Sequence, residues 1–276
     1  MKTLRISLIT LVIILIQHKV SFGQSFIPTT DASTFALSKS NIASVYNNIE
    51  TFNPAYTRPI HGLTIFSSIS NKFGIKKLNF ASVGVNYNSN KISVTTSYLS
   101  TGFGSYHESI GSLIAGRQFA KGISIGIGLH LLTIKESETN HTIYNPTFSM
   151  GLLLSFSKRI NLGISIFNPF NMKEQTAAYN RSYNSAGISY LINENTEANI
   201  AIESNDYESF NLNGGLSLSL RKRFKIMMGA SIYPSTLNFG CNINIKNLNI
   251  CLSSCWSKTL GFSPNSSIDY RIIKGR

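Results

Sequence analysis

The chain has 276 residues, 42% hydrophobic, 11% aromatic and only 13% charged, with a formal net charge of +13. Ordinary soluble domains carry roughly 25% charged residues, and a disordered chain would need more charge and fewer apolar residues, so disorder is excluded. Ser, Asn, Gly and Thr take the place of the missing charge, and a mean hydropathy of +0.05 excludes a bundle of membrane helices.

Lys2 and Arg5 precede an apolar-rich run of 11 residues, Ile6 to Ile16, and Ser21-Phe22-Gly23 places small residues at the −3 and −1 positions of a cut before Gln24. The run is shorter than the ~20 residues of a spanning helix. The order of basic, apolar and small-residue regions is that of a secretory signal peptide over residues 1–23. Losing Lys2, Arg5 and Lys19 takes the net charge from +13 to +10. No later apolar run reaches helix-spanning length, so the exported chain either stays soluble or inserts as strands.

Residues 24–60 do not alternate. Phe35, Leu37, Ile42, Val45, Tyr46 and Ile49 have loose helical spacing and lead into Asn53-Pro54-Ala55. This segment is long enough to enter or lid an interior, and the residues expected to do so are Phe35, Ile42, Val45, Tyr46, Asn53 and Pro54.

From His61 to Arg276 the period is two. Ile123, Ile125, Ile127 and Leu129 interleave with Ser124, Gly126, Gly128 and His130, and Leu237, Phe239, Cys241, Ile243 and Ile245 with Asn238, Gly240, Asn242 and Asn244. Alternation puts an apolar set on one face of a strand and a small polar set on the other. Strands are expected over 61–70, 79–88, 91–100, 107–119, 123–134, 144–156, 160–168, 183–192, 196–204, 209–220, 224–232, 237–245, 248–256 and 265–273. Connections after even-numbered strands are tiny, such as Ser89-Asn90 and Lys246-Asn247. Those after odd-numbered strands are mostly longer, such as 135–143 and 169–182. A soluble sandwich has no reason to sort its loops this way; an outer-membrane barrel has short periplasmic turns and long extracellular loops. The expected fold is all-β: a transmembrane antiparallel β-barrel of about 14 strands, with a short, partly helical N-terminal segment entering or lidding the lumen.

The turns predict register. Ser89-Asn90 sets Tyr87 opposite Ile92, and Lys246-Asn247 sets Ile245 opposite Leu248, Cys241 opposite Leu252 and Asn242 opposite Cys251. Cys251 and Cys255, four residues apart on one strand, are beyond disulfide reach, so three free thiols are expected. The short turns hold most of the excess charge, giving a basic periplasmic rim of Lys121, Lys158, Arg159, Arg221, Lys222, Arg223 and Lys246. Such a rim either snorkels beside lipid phosphates or docks a periplasmic partner. Scattered turn charges without an aromatic-lined groove do not suit nucleic acid.

Gly122, Gly126 and Gly128 lie on one continuous strand, without the strand–turn–helix frame of a dinucleotide site, and instead leave room in the lumen. His61, His107, His130 and His141 lack metal-ligand spacing, so neither metal nor cofactor is expected. No Ser, His and Asn or Asp constellation stands out, and an enzyme is not expected. Polar-face charges place Arg117, Glu203, Lys225, Asp269 and Arg271, with His130, in the lumen, as an internal ion-pair network or a selectivity ring. Leu154→Arg on the apolar face should cost about 2–4 kcal/mol, and Ser155→Arg less.

The leader running into Val45-Tyr46-Asn47-Asn48 and Asn53-Pro54-Ala55 resembles the start of FadL-like barrels and of the PorV/PorQ-type barrels of Bacteroidota. So do Ser105-Tyr106-His107-Glu108, Ile166-Phe167-Asn168-Pro169 and Thr259-Leu260-Gly261-Phe262-Ser263-Pro264. Two departures are Tyr56 in place of the usual glycine after Asn53-Pro54-Ala55, and an end at Lys274-Gly275-Arg276 without a terminal aromatic. The resemblance implies a 14-stranded barrel in the outer membrane of a Gram-negative bacterium. It further implies a barrel accompanying type IX protein secretion, with secretion components as partners, or a FadL-like channel for a hydrophobic small molecule; a structural surface-display barrel is the third expectation.

Overall fold

The computed structural model describes residues 31–45, 52–57, 61–75, 78–89, 91–104, 106–136, 141–169, 182–205, 210–221 and 223–272. The signal peptide with its cut before Gln24, Tyr46, Lys222 and most of loop 169–182 lie outside the described residues. Fourteen antiparallel strands close into a barrel, each paired with its chain neighbours and β1 with β14. They are β1 (Gly62–Asn71), β2 (Asn79–Asn88), β3 (Ile92–Phe103), β4 (Tyr106–Ala120), β5 (Ile123–Glu136), β6 (His141–Ser155) and β7 (Ile160–Phe167). The second half has β8 (Tyr183–Asn193), β9 (Thr196–Asn205), β10 (Asn211–Leu220), β11 (Phe224–Ser231), β12 (Thr236–Ile245), β13 (Leu248–Ser257) and β14 (Gly261–Ile272). Closure leaves no strand edge unpaired, which is what a strand structure in hydrocarbon requires.

The apolar set faces outward. On β5, Ile123, Ile125, Ile127, Leu129 and Leu131 are exposed, while Ser124, Gly126, Gly128, His130 and Leu132 are buried inside. The aliphatic belt is bordered at the short-turn end by Tyr87, Phe119, Phe156, Tyr190, Phe224 and Tyr270, and at the long-loop end by Tyr144, Phe210, Tyr233, Trp256 and Phe262, all exposed. Phe262 and Tyr270 are eight residues apart on β14, about 20 Å along the barrel axis for a strand tilted as barrel strands are. Two aromatic girdles around an aliphatic belt are the exterior of a membrane-spanning barrel.

Four sequence readings need correction. The Ser89-Asn90 turn is longer than two residues: Ser89 N–H donates to the Ile92 carbonyl (2.8 Å), Asn88 faces Ser93, and Tyr87 faces Val94 rather than Ile92. A shift of two preserves the face. The Lys246-Asn247 turn does pair Ile245 with Leu248, Cys241 with Leu252 and Asn242 with Cys251, and the three cysteines are free. β14 begins at Gly261, four residues before the expected start, because Phe262 and Pro264 continue the outward series. Leu154 does face outward, but one residue from the end of β6, not at mid-strand. Arg117 is on the outward face, not in the lumen: its neighbours in register are Ile92 and Ile125, and it is exposed.

The packed core lies inside the barrel. The N-terminal segment forms a short helix, α1 (Ala32–Ala36), and a 3₁₀ turn, Ser40–Ala43. Asp31 caps α1, accepting from Thr34 N–H at 2.9 Å. Ile42, Ala43, Phe52, Ala55 and Tyr56 pack against Leu153 and Ala201 of the wall, and Ala32, Ala36 and Leu37 against Met227 and Cys251.

Candidate functional site

The lumen is shaped by two kinds of wall. Beneath the N-terminal segment the inward residue on strand after strand is glycine: Gly116 on β4, Gly126 on β5, Gly151 on β6, Gly163 on β7, Gly187 on β8, Gly215 on β10, Gly229 on β11 and Gly240 on β12. A side chain at these places would run into the segment. A Cβ on Gly116 would meet the Pro54 carbonyl oxygen at 2.5 Å, one on Gly229 the Ser38 nitrogen at 2.6 Å, and one on Gly240 the Ala36 Cβ at 2.5 Å. At Gly126 and Gly163 the obstructing atoms are the backbone carbonyls of Pro54 and Ile42. The segment is thus laid along a girdle of glycines rather than suspended in the channel.

Polar contacts fasten it. Asn53, fully buried, donates to the Ile42 carbonyl (3.0 Å) and to the Leu152 carbonyl of β6 (3.4 Å), and its side-chain oxygen accepts from Ala55 N–H (3.0 Å). This explains why Asn, Pro and Ala stand together: an Asx turn aims Pro54 along the glycines while the amide holds the wall. At the other end Ser267 of β14 donates to Asp31 (3.2 Å), and Asn238 of β12 donates to the Phe35 carbonyl (2.7 Å). Ser44 donates to the buried Glu197 of β9 (3.1 Å), which also accepts from Ser189. Ser38 and Lys39 both adopt left-handed backbone (φ 51° and 59°), a corner that costs about 1–3 kcal/mol per residue in a non-glycine. It delivers the Lys39 ammonium to Glu203 (3.9 Å) and to the Tyr183 ring (5.8 Å from the centroid).

Nearer the long loops, β3–β6 turn large aliphatics inward. Leu99, Ile110 and Leu132 form one cross-strand row, and Ile134 and Ile143 a second, with Phe66 and Phe80 facing the same interior from β1 and β2. Leu99, Ile110, Leu132 and Ile134 are all buried. The Phe66 ring edge and the Thr96 carbonyl leave no room for a Cβ at Gly84. Between the rows and the glycines sits His130, hydrogen-bonded to Ser112 through Nδ1 and to Ser149 through Nε2 (2.8 Å each), with Phe167 4.9 Å away. Gly128 provides the room for this ring. Above, in the β1–β2 loop, Lys72 lies over the Phe80 ring (4.6 Å). Burial, with Lys39 nearby and Glu108 opposing, lowers the Lys72 pKa to about 8.

The predicted lumen charges fall as follows. His130, Glu203, Lys225, Asp269 and Arg271 are on inward positions, and Asp269 accepts from Asn249 (2.9 Å). Among the described residues the ion pair that spans the interior is Lys39–Glu203, whose cation sits in the N-terminal segment where the sequence offered no reason to look. Of the segment residues, Ile42, Asn53 and Pro54 are buried in the lumen, Phe35 is half-buried, and Val45 packs against the inner core. Lys121, Lys158, Arg159, Arg221, Arg223 and Lys246 are at the short-turn rim, all outside the lumen. Neither the glycine girdle nor the apolar rows were predicted. The signal for the first row was a break in alternation: Tyr98-Leu99 and Leu131-Leu132 are doublets, and a doublet in a period-two strand must turn one member inward.

The fold is similar to that of the toluene transporter TodX of Pseudomonas putida, with a TM-score of 0.66 at 9% identity over 90% of this chain and 98% of that one. Two TodX variants described as monoaromatic hydrocarbon channels are also similar. One has a TM-score of 0.65 at 10% identity over 88% of this chain and 99% of that one. The other has 0.62 at 9% identity over 87% and 96%. No protein-family model matches the chain, and no curated protein matches it in sequence.

Proposed function

We propose that this chain is a non-enzymatic, FadL-like channel in the outer membrane of a Gram-negative bacterium, passing hydrophobic small molecules after export and cleavage before Gln24. The observation that carries the reading is the set of inward aliphatics, Leu99, Ile110, Leu132, Ile134 and Ile143, which with the inward Phe66 and Phe80 make the lumen wall apolar toward the long loops. A passage for ions or sugars has no use for these side chains, whereas an apolar solute gains about 25 cal/mol for each Å² of surface it hides against them. The likeness to hydrocarbon channels is of fold, and supports the same choice. Nothing in the fold or its likenesses supports the association with type IX secretion, and the surface-display reading leaves the lumen chemistry without a use.

Binding of a fluorescent apolar probe to the detergent-purified barrel tests the proposal. Leu132→Asn removes about 2 kcal/mol of apolar contact, so affinity should fall about 30-fold. Heat-modifiable mobility should remain, showing an intact barrel. Unchanged probe affinity in a folded Leu132→Asn, Ile134→Asn double variant would refute the hydrophobic cargo.

A further inference from the structure

We propose that Lys91, Arg117 and Lys121 form a headgroup site for a phospholipid of the leaflet that meets the short-turn rim, with the exposed Phe119 ring as its apolar floor. The inference rests on the membrane reading of the barrel and is independent of what the lumen carries. Arg117 is the anomaly that starts it. The other outward cations at this rim, such as Lys158, Arg159 and Lys246, lie in the turns, but Arg117 is within β4, flanked in register by Ile92 and Ile125. A guanidinium at the edge of the hydrocarbon needs an anion to hold, and among the described residues no carboxylate pairs with it.

The neighbours supply a site. Gln118 N–H donates to the Lys91 carbonyl (2.7 Å), which places the β2–β3 turn beside the end of β4. Lys121 follows four residues after Arg117, in the β4–β5 turn, and both lysines are exposed. Two adjacent turns and one strand end thus bring three exposed basic residues to one stretch of the rim. Phe119 is 64% exposed on the same face as Arg117, and the guanidinium is 5.4 Å from its ring centroid. Stacking on a ring leaves the guanidinium edge, with its fork of N–H donors, directed away from the aromatic face and matched to phosphate oxygens. A free phosphate would satisfy the cations only. Ile92, Ile125 and Phe119 continue the apolar belt directly beside them, and this suits a phosphate that carries acyl chains. Charge selects the headgroup, and the belt selects the tail.

Native mass spectrometry of the mature barrel extracted in non-ionic detergent, with phosphatidylglycerol added, reads the site directly. Wild type should retain the lipid, and Arg117→Gln with Lys121→Gln should retain it about tenfold less, as loss of charge-assisted hydrogen bonds to one phosphate predicts. Lys135→Gln with Lys258→Gln, at the opposite rim, should match wild type. Millimolar inorganic phosphate should fail to displace the lipid. Equal retention by the Arg117, Lys121 variant, displacement by inorganic phosphate, or preference for an acidic peptide over the lipid would each overturn the headgroup site. A mature chain soluble without detergent would instead overturn the membrane reading beneath it, so the two failures are distinguishable.

Discussion

The lower and upper halves of the lumen wall share strands but not composition. On β5 the inward series runs Ser124, Gly126, Gly128, His130, Leu132, Ile134, from hydrogen beneath the N-terminal segment to large aliphatics near the long loops. Where the segment's backbone runs closest, the wall residue is glycine on strand after strand, because a backbone already fills the space. Above it, the chain turns bulky apolar residues inward, where Leu99, Ile110, Leu132 and Ile134 are buried to 3–5% exposure. Side-chain size along one strand is therefore the negative image of what lies against it. The lower wall is fitted to the protein's own N-terminus, and the upper wall carries the bulk that the glycine girdle forbids.

The sharpest way to break this contrast is to reverse it at one position. Gly126→Leu should be the most damaging single change, costing about 3 kcal/mol or more, because its Cβ meets the Pro54 backbone rather than a side chain that could turn away. Urea unfolding in detergent followed by tryptophan fluorescence measures it, and a cost below 1 kcal/mol would mean the segment is not seated on the girdle. Next in size is an outward change on the same strand. Leu129→Arg, 60% exposed at mid-strand, should cost about 2–4 kcal/mol in a bilayer, and Leu154→Arg, at the rim, about 0–1 kcal/mol. Reversible folding in phospholipid vesicles reads both, and equal costs would undo the depth assigned to them. The last test is of pH, at the mouth above the upper wall. Lys72 should titrate near pH 8, against 10.5 for an ordinary lysine. Because the folded chain releases this proton first, stability should rise with pH from about 8 to about 10.5, and NMR of the isotopically methylated amine gives the midpoint.

Much of the barrel could be read from the chain because membrane strands expose their logic twice. Alternation named the outward face at Ile123–Leu129 and Leu237–Ile245, and short turns between the pairs fixed strand order. Arg117 was misplaced because polarity stood in for position: Ile110 and Ile114 are inward on β4, and a guanidinium at the belt's edge then falls among the outward residues. The Asn53-Pro54-Ala55 motif was visible, but its target was not, since the eight glycines that receive the segment lie on eight strands spread over more than a hundred residues. A glycine in a lone strand reads as empty space. Only the closed fold shows that the spaces are contiguous and occupied.

The hydrogen bond between Asp31 and Ser267 joins residues 236 apart. A ribosome makes the first of these long before the second, and an export channel releases them in the same order. The wall strands that α1 meets, β11 to β14, are the last to emerge, whereas Pro54 and Ala55 meet the earlier β4–β6. A truncated product lacking β14 would leave Asp31 without Ser267 as well as the cylinder without its seam, while β11–β13 would still meet α1.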